Sequence, residues 1–226
     1  MARERGLLVA VEGITGAGKT TLIDLVRKSL PPDTLICGGY RREDHRSDPL
    51  HRDILEAIRR RLARDPFLRV DWRSETLLLL AELHLADRNH VRPALAEGRL
   101  VVYEHHLASI IAYQSARLLE DGHARSLKSA LAATRRLVKH ASDVSSPDVV
   151  LFVEAKVDIA VRRAARRDRR RVGPHDVAFE RQVQAAYGAA LKAERVGVRR
   201  CRGDGRIAEH AGPIVQWFKR QLEMQQ

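Results

Sequence analysis

The sequence predicts a three-layer α/β domain, with a parallel sheet packed between helices. Two observations carry that reading. Short apolar runs alternate with longer segments of helical periodicity along the chain, the pattern of successive strand and crossover-helix units. The first apolar run, residues 7–11 (LLVAV), leads directly into a glycine-rich turn, GITGAGKT at residues 13–20, that opens a helical segment.

In order, residues 7–11 read as a strand buried on both faces. Residues 20–30 have helical periodicity, with Leu22, Ile23, Leu25 and Val26 on one side, and Pro31-Pro32 stop that helix. Residues 34–37 are a second strand and 38–49 a polar loop. Helices are expected at about 50–64 and about 73–97, the latter ending at Gly98. Residues 100–103 form a third strand with Glu104 at its carboxyl end, and one long helical region fills about 107–140. Pro147 precedes a fourth strand at 149–153. Helices follow at about 157–170 and 176–194, then a last strand at 196–201 and a final helix at about 206–222, which starts either there or at Pro213.

A chain of 226 residues with 44% hydrophobic content can bury one sizeable core, so a single domain over residues 1–226 is expected. Net charge is +12, and only seven of the 41 basic residues are lysine. That balance suits anionic partners such as nucleotides, or reflects solvated arginine-rich faces. Aromatic content is 4%, with no interleaved run of aromatics to stack bases, so nucleic acid is not the expected partner. Cys37 and Cys201 form no C-x-x-C, which excludes a zinc pattern or a disulfide framework. The charged N-terminus with its short apolar run does not read as a signal peptide, and no run of roughly 18 apolar residues reads as a membrane span, so a cytoplasmic location is expected.

Gly13-x-x-x-x-Gly18-Lys19-Thr20 matches the Walker A pattern. Glycines let peptide N–H groups curl round phosphates, and the helix that starts there adds its positive end. Lys19 is placed to reach the β- and γ-phosphates of ATP, and the Thr20 hydroxyl to ligate Mg²⁺. The metal needs a carboxylate partner, and Glu104 is the candidate. Glu12, beside the loop, serves either to orient the loop or the acceptor, or as a structural carboxylate. Residues 162–171 hold seven arginines in ten positions. Most belong to a solvated helix face, but one or two are expected to close as a lid over the phosphates, because Gly16 and Ala17 leave the loop with no arginine of its own.

These residues resemble thymidylate kinases, a family of P-loop nucleoside monophosphate kinases. VEGITGAGKTT is similar to the family's E-G-x-D-G-A-G-K-T-T. VRPALAEGRLVVYEHHLASIIAYQ, from Val91, is similar to I-R-P-A-L-x-x-G-x-x-V-x-x-D-R-Y-x-x-S-S-x-A-Y-Q. PDVVLFVEAKVDIAVRRAARR looks like its fourth strand running into the lid, and FERQVQAAYGAAL like the helix after it. The resemblance implies a P-loop kinase fold with a sheet of about five parallel strands, an arginine-rich lid over about 162–175, ATP with Mg²⁺, and a homodimer as many members form. It implies donor binding by Gly13, Thr15, Gly16, Ala17, Gly18, Lys19, Thr20 and Thr21, catalysis by Lys19, Glu104, Arg167, Arg170 and Arg171, and Mg²⁺ on Thr20 and Glu104.

The departures fall on the acceptor side. The family's P-loop aspartate falls on Thr15, and its D-R-Y becomes Glu104-His105-His106, which keeps the carboxylate and loses the arginine. Its F-x-A-D-R segment, whose Phe stacks on thymine and whose Arg bonds it, aligns with Leu79, Leu80, Ala81, Glu82 and Leu83. Glu12, Ser109, Tyr113 and Gln114 are retained, and Tyr40 and Arg42 stand in the place of an R-E-P loop. Acceptor contacts are therefore expected from Glu12, Tyr40, Arg42, Leu79, Leu83, His105, Ser109, Tyr113 and Gln114. Histidine does not reproduce the bidentate grip of arginine on phosphate. His105 could hold a phosphate when protonated or a hydroxyl when neutral, or be a packed helix-start residue. The expected function is phosphoryl transfer from ATP to a small-molecule acceptor, a nucleotide, nucleoside or related metabolite, other than dTMP. The alternatives are a dTMP kinase with an unusual site and a silent nucleotide-binding regulator. Adenine contacts are sought at residues 199–204.

Overall fold

Strand β1 (Leu8–Glu12) is buried at all five positions, as a central strand covered on both faces must be. In a computed structural model that describes residues 5–38, 48–64, 71–193, 196–204 and 207–223, it is followed by α1 (Lys19–Arg27), β2 (Leu35–Gly38), α2 (Pro49–Arg64) and α3 (Trp72–Ala86). Then come a π-helical turn (Asp87–Val91), α4 (Arg92–Ala96), β3 (Val101–Glu104), α5 (Leu107–Glu120) and α6 (Leu127–Ala141). The order ends with β4 (Val149–Glu154), α7 (Val157–Arg167), α8 (Pro174–Ala193), β5 (Gly197–Arg202) and α9 (Ala208–Glu223).

The five strands form one parallel sheet in the order β2-β3-β1-β4-β5. This is the α/β architecture the sequence predicts. After β3 the chain crosses β1 to add β4 and β5 on the far side, so the connections diverge beside β1, where ligands bind in such sheets. Register levels the strand ends: Val11 pairs with Glu104, and Gly38 with Glu104. The loop after β1 and the carboxylate ending β3 therefore emerge on the same edge.

The core sits on both faces of the sheet. Helix α1 contributes Leu22, Ile23 and Val26, each at most 1% exposed, and burial of such a side chain is worth roughly 1.5–3 kcal/mol. Helix α9 packs on α1, and α5 packs on α8. Cys37 and Cys201 are buried free thiols.

The structure corrects two helical expectations. The helix expected over 73–97 is interrupted by the π turn, and Pro93 explains the position: without an N–H it cannot continue the α-helical ladder, and Arg92 N–H bonds back to Asp87 O instead. The long region 107–140 is two helices, because Gly122 turns the chain at φ 72° and Ser126 starts α6 with a capping box on Ser129. Of the two starts expected for the final helix, the earlier one holds: α9 begins at Ala208 and carries Pro213 inside it. The carbonyl it leaves without a helical donor belongs to Glu209, which is exposed to water. No helix among the described residues is long and apolar enough to cross a membrane.

Candidate active site

The turn between β1 and α1 is held open by backbone geometry. Gly16 and Gly18 have φ of 78° and 103°, a region L side chains rarely adopt. A Cβ on Gly16 would lie 2.0 Å from Ala160 O. The left-handed Gly18 is the N-cap of α1, with no side-chain cap on the first N–H groups of that helix. A ring of peptide donors facing the positive end of a helix is an anion cradle.

Lys19 is 4% exposed, and its ammonium donates to Gly13 O at 2.7 Å and Ile14 O at 2.9 Å. Burial lowers its pKa, opposed by the carboxylates of Glu104, Glu12 and Glu180. Thr20 Oγ1 donates to Glu104 Oε1 at 2.6 Å. Glu104 is 3% exposed. A hydroxyl and a carboxylate meeting at the cradle are the hard oxygen donors Mg²⁺ takes together with substrate phosphates, so the residues present fit the metal and a nucleoside triphosphate.

Behind the cradle lies a closed polar cluster. Glu12, fully buried, accepts from the Ser109 hydroxyl, from His106 N at 3.1 Å and from the Tyr187 hydroxyl at 3.3 Å. Tyr187 also lies 3.3 Å from Gly13 O and 2.7 Å from Ser109 Oγ. Because Ser109 gives its hydrogen to Glu12, the His105 Nδ1 at 3.1 Å is assigned as the donor to Ser109. Burial, with Lys19 and Arg167 adding like charge, holds the His105 pKa well below its ordinary value. Its ring is thus neutral at pH 7 and offers hydrogen bonding rather than charge. His105 has φ 63° directly after β3, an unusual conformation for a residue with a Cβ.

Tyr113 ties the cradle to α8. Its hydroxyl accepts from Thr15 N at 2.7 Å, lies 3.0 Å from Thr15 Oγ1, and reaches the Glu180 carboxyl at 3.3 and 3.4 Å. Arg167 forms a two-pronged pair with Asp168, both contacts at 2.9 Å, and its charge acts on Glu104 and Lys19. Arg170 Nη1 bonds Asp176 at 2.9 Å, while Arg171 is exposed.

Of the residues singled out from sequence, Gly13, Thr15, Gly16, Ala17, Gly18, Lys19, Thr20, Glu12, Glu104, His105, Ser109, Tyr113 and Arg167 converge here. Thr21 faces solvent in the first turn of α1. Leu79 and Leu83, 7% and 1% exposed, belong to the hydrophobic core, and Gln114 is buried. Tyr40 and Arg42 lie outside the described residues. Residues 199–204 run beside the cradle: a Cβ on Gly203 would fall 2.0 Å from Ala17 O, and Arg163 bonds Gly203 O. Sequence reasoning missed Tyr187 and Glu180. Their seven-residue spacing puts both on one face of α8, but nothing local says that this face meets the phosphate loop.

A Walker A cradle at the carboxyl edge of a parallel sheet, with a buried lysine, a Thr–carboxylate pair and the charge of Arg167 acting on both, defines a P-loop kinase. The thymidylate kinase family model matches residues 11–199. The thymidylate kinase of Shouchella clausii is 31% identical over 97% of both chains, and that of Clostridium novyi 27% identical over 83% of this chain and 86% of its own. Among solved structures, thymidylate kinases from Candida albicans and Ehrlichia chaffeensis superpose with TM-scores of 0.65 and 0.64. Their identities are 19% and 17%, and they cover 95% of this chain and 93% and 99% of their own. The chain belongs to the thymidylate kinase family and is a P-loop phosphotransferase.

Proposed function

We propose that the chain transfers the γ-phosphoryl group of ATP to thymidine monophosphate, with Mg²⁺. The observation that carries the donor half is the Thr20–Glu104 hydrogen bond beside the buried Lys19, at the mouth of the cradle. The acceptor rests on near full-length relatives that are named thymidylate kinases. They favour dTMP over the different acceptor that the altered positions 79, 83 and 105 suggest. A silent regulator is disfavoured, because Lys19, Glu104 and Arg167 are all kept and brought together.

Thr20 and Glu104 would hold Mg²⁺, which would supply neutralisation of the charge that develops in phosphoryl transfer. Lys19 and the N–H groups at the start of α1 bind and orient the donor phosphates. Arg167 lends positive charge from the lid side, while Arg170 is paired with Asp176. The neutral His105 and the Ser109 hydroxyl supply hydrogen bonds on the acceptor side. Little covalent work falls to the protein, so positioning and charge neutralisation supply the rate.

A second reading, a different nucleoside monophosphate, is favoured by one observation. Leu79 and Leu83 are core residues, so the stacking ring and the arginine of the family's F-x-A-D-R pattern have no counterpart at these positions. The test is ADP release with dTMP, dUMP, dCMP, dAMP and dGMP, for the wild type and Lys19→Ala. Turnover of dTMP at the lowest concentration, lost in the variant, is expected. Faster use of another nucleotide selects the second reading. Turnover that survives Lys19→Ala, or none with any acceptor, overturns the kinase reading.

A further inference from the structure

Glu180 lies on α8, 2% exposed, and no step above uses it. It is an acid placed against a phosphate site, where a negative charge would oppose binding. Its carboxyl oxygens are 3.3 and 3.4 Å from the Tyr113 hydroxyl. That hydroxyl in turn takes the Thr15 peptide N–H at 2.7 Å, and the same N–H acts on Glu180 directly. Thr15 is the loop position at which the family pattern carries an aspartate. Here the carboxyl reaches that peptide from another helix.

We propose that Glu180 is a positioning residue for nucleotide phosphate: in its protonated form it holds Tyr113 and the Thr15 peptide against the loop, and in its ionised form it repels the incoming phosphates. The inference rests on the phosphotransferase reading for its ligand.

The electrostatic surroundings make the protonated form the ordinary one near neutrality. Burial pushes the Glu180 carboxyl up to about 8, the charge of Lys19 and the hydrogen bonds from Tyr113 and Thr15 pulling the other way, with Arg170 adding a smaller pull. These groups face it from α1, α5, the loop and the lid. Among its neighbours, Arg117 of α5 lies over the Phe179 ring and is paired with Glu120, and Arg181 turns to Asp158. Below pH 8 the carboxyl is neutral and presents one O–H and one acceptor to Tyr113. Above it, a buried anion faces the phosphates at short range, where screening by water is weak. Bound phosphate raises the pKa further, so binding and proton uptake are linked.

The experiment is equilibrium binding of MgATP by calorimetry from pH 7 to 9.5, for the wild type, Glu180→Gln and Glu180→Ala. The wild type is expected to bind about tenfold more weakly at pH 9 than at pH 7, the ratio of protonated fractions for one group titrating near 8. Glu180→Gln, which keeps the shape and a hydrogen bond without the charge, should bind at pH 9 nearly as at pH 7. Glu180→Ala should be weaker than Glu180→Gln at both. A wild type whose affinity is flat over this range overturns the proposal, whatever the variants do. So does a Glu180→Gln protein that keeps the full alkaline loss, since the titrating group would then be another, such as Lys19. Turnover is not needed for this readout, so failure of the phosphotransferase reading and failure of this inference are seen separately.

Discussion

Thr20 Oγ1 and Glu104 Oε1 lie 2.6 Å apart although 84 residues separate them in the chain. The first opens α1 and the second ends β3, and the β1–β3 register brings those two ends together. If this pair holds Mg²⁺, Glu104→Gln should raise the Mg²⁺ concentration for half-maximal activity by about ten- to a hundredfold, the range for residues in or beside a metal's coordination sphere. A metal titration of the steady-state rate checks this, and an unchanged requirement would remove Glu104 from the metal site.

Arg167 and Arg171 should separate in function. Arg167 acts electrostatically on Glu104 and Lys19, while Arg171 faces solvent. Arg167→Ala is expected to lower kcat on the order of 10³-fold, as for an arginine that stabilises transferring phosphate. Arg171→Ala should leave kcat within a few-fold. Steady-state kinetics of both variants decide it, and the reverse ranking would show that the lid reorganises on substrate binding.

Gly16→Ala should cost stability and nucleotide binding together. The new Cβ would sit 2.0 Å from a backbone oxygen, at a φ of 78°. The expected cost is about 1–3 kcal/mol, with the stabilisation by MgATP largely lost. Denaturation with and without MgATP measures both, and a variant as stable and as well protected as the wild type would show that the loop carries no such constraint.

Stability should fall between pH 7 and pH 5 through His106. This ring is 1% exposed, packs edge-on against Tyr103, and is depressed by burial to about 4. A histidine whose folded-state pKa lies below its unfolded value favours folding while neutral. Its contribution is complete above about 6.5 and is lost as pH falls toward 4, at about 2 kcal/mol between pH 7 and pH 5. His105, also held low by burial, works in the same direction. Urea denaturation at the two pH values, wild type against His106→Phe, tests it; equal losses in both proteins would exclude His106 as the source.

Much of the fold was legible because it rests on local signals. Short apolar runs marked the first four strands within a residue or two, the basic edge strand β5 gave a weaker signal, and the Walker A spacing announced the cradle and its lysine. The breaks at Pro93 and Gly122 were harder to place, since helical periodicity continues through them while backbone geometry interrupts it. Arg167, Arg170 and Arg171 are alike in sequence, and only the turn after α7 decides that the charge of Arg167 acts on Glu104 and Lys19 while Arg170 pairs with Asp176 and Arg171 is exposed.

By itself the sequence determined the α/β class, the phosphate loop, the carboxylate at the end of β3 and the family resemblance, because each is written in contiguous residues. Only the tertiary structure decided that Glu12 is a buried anchor for Ser109, His106 and Tyr187, that His105 is neutral, and that Glu180 reaches Thr15 through Tyr113. Those are long-range facts: burial sets the charge state, and burial is fixed by which helix faces the packed sheet brings together.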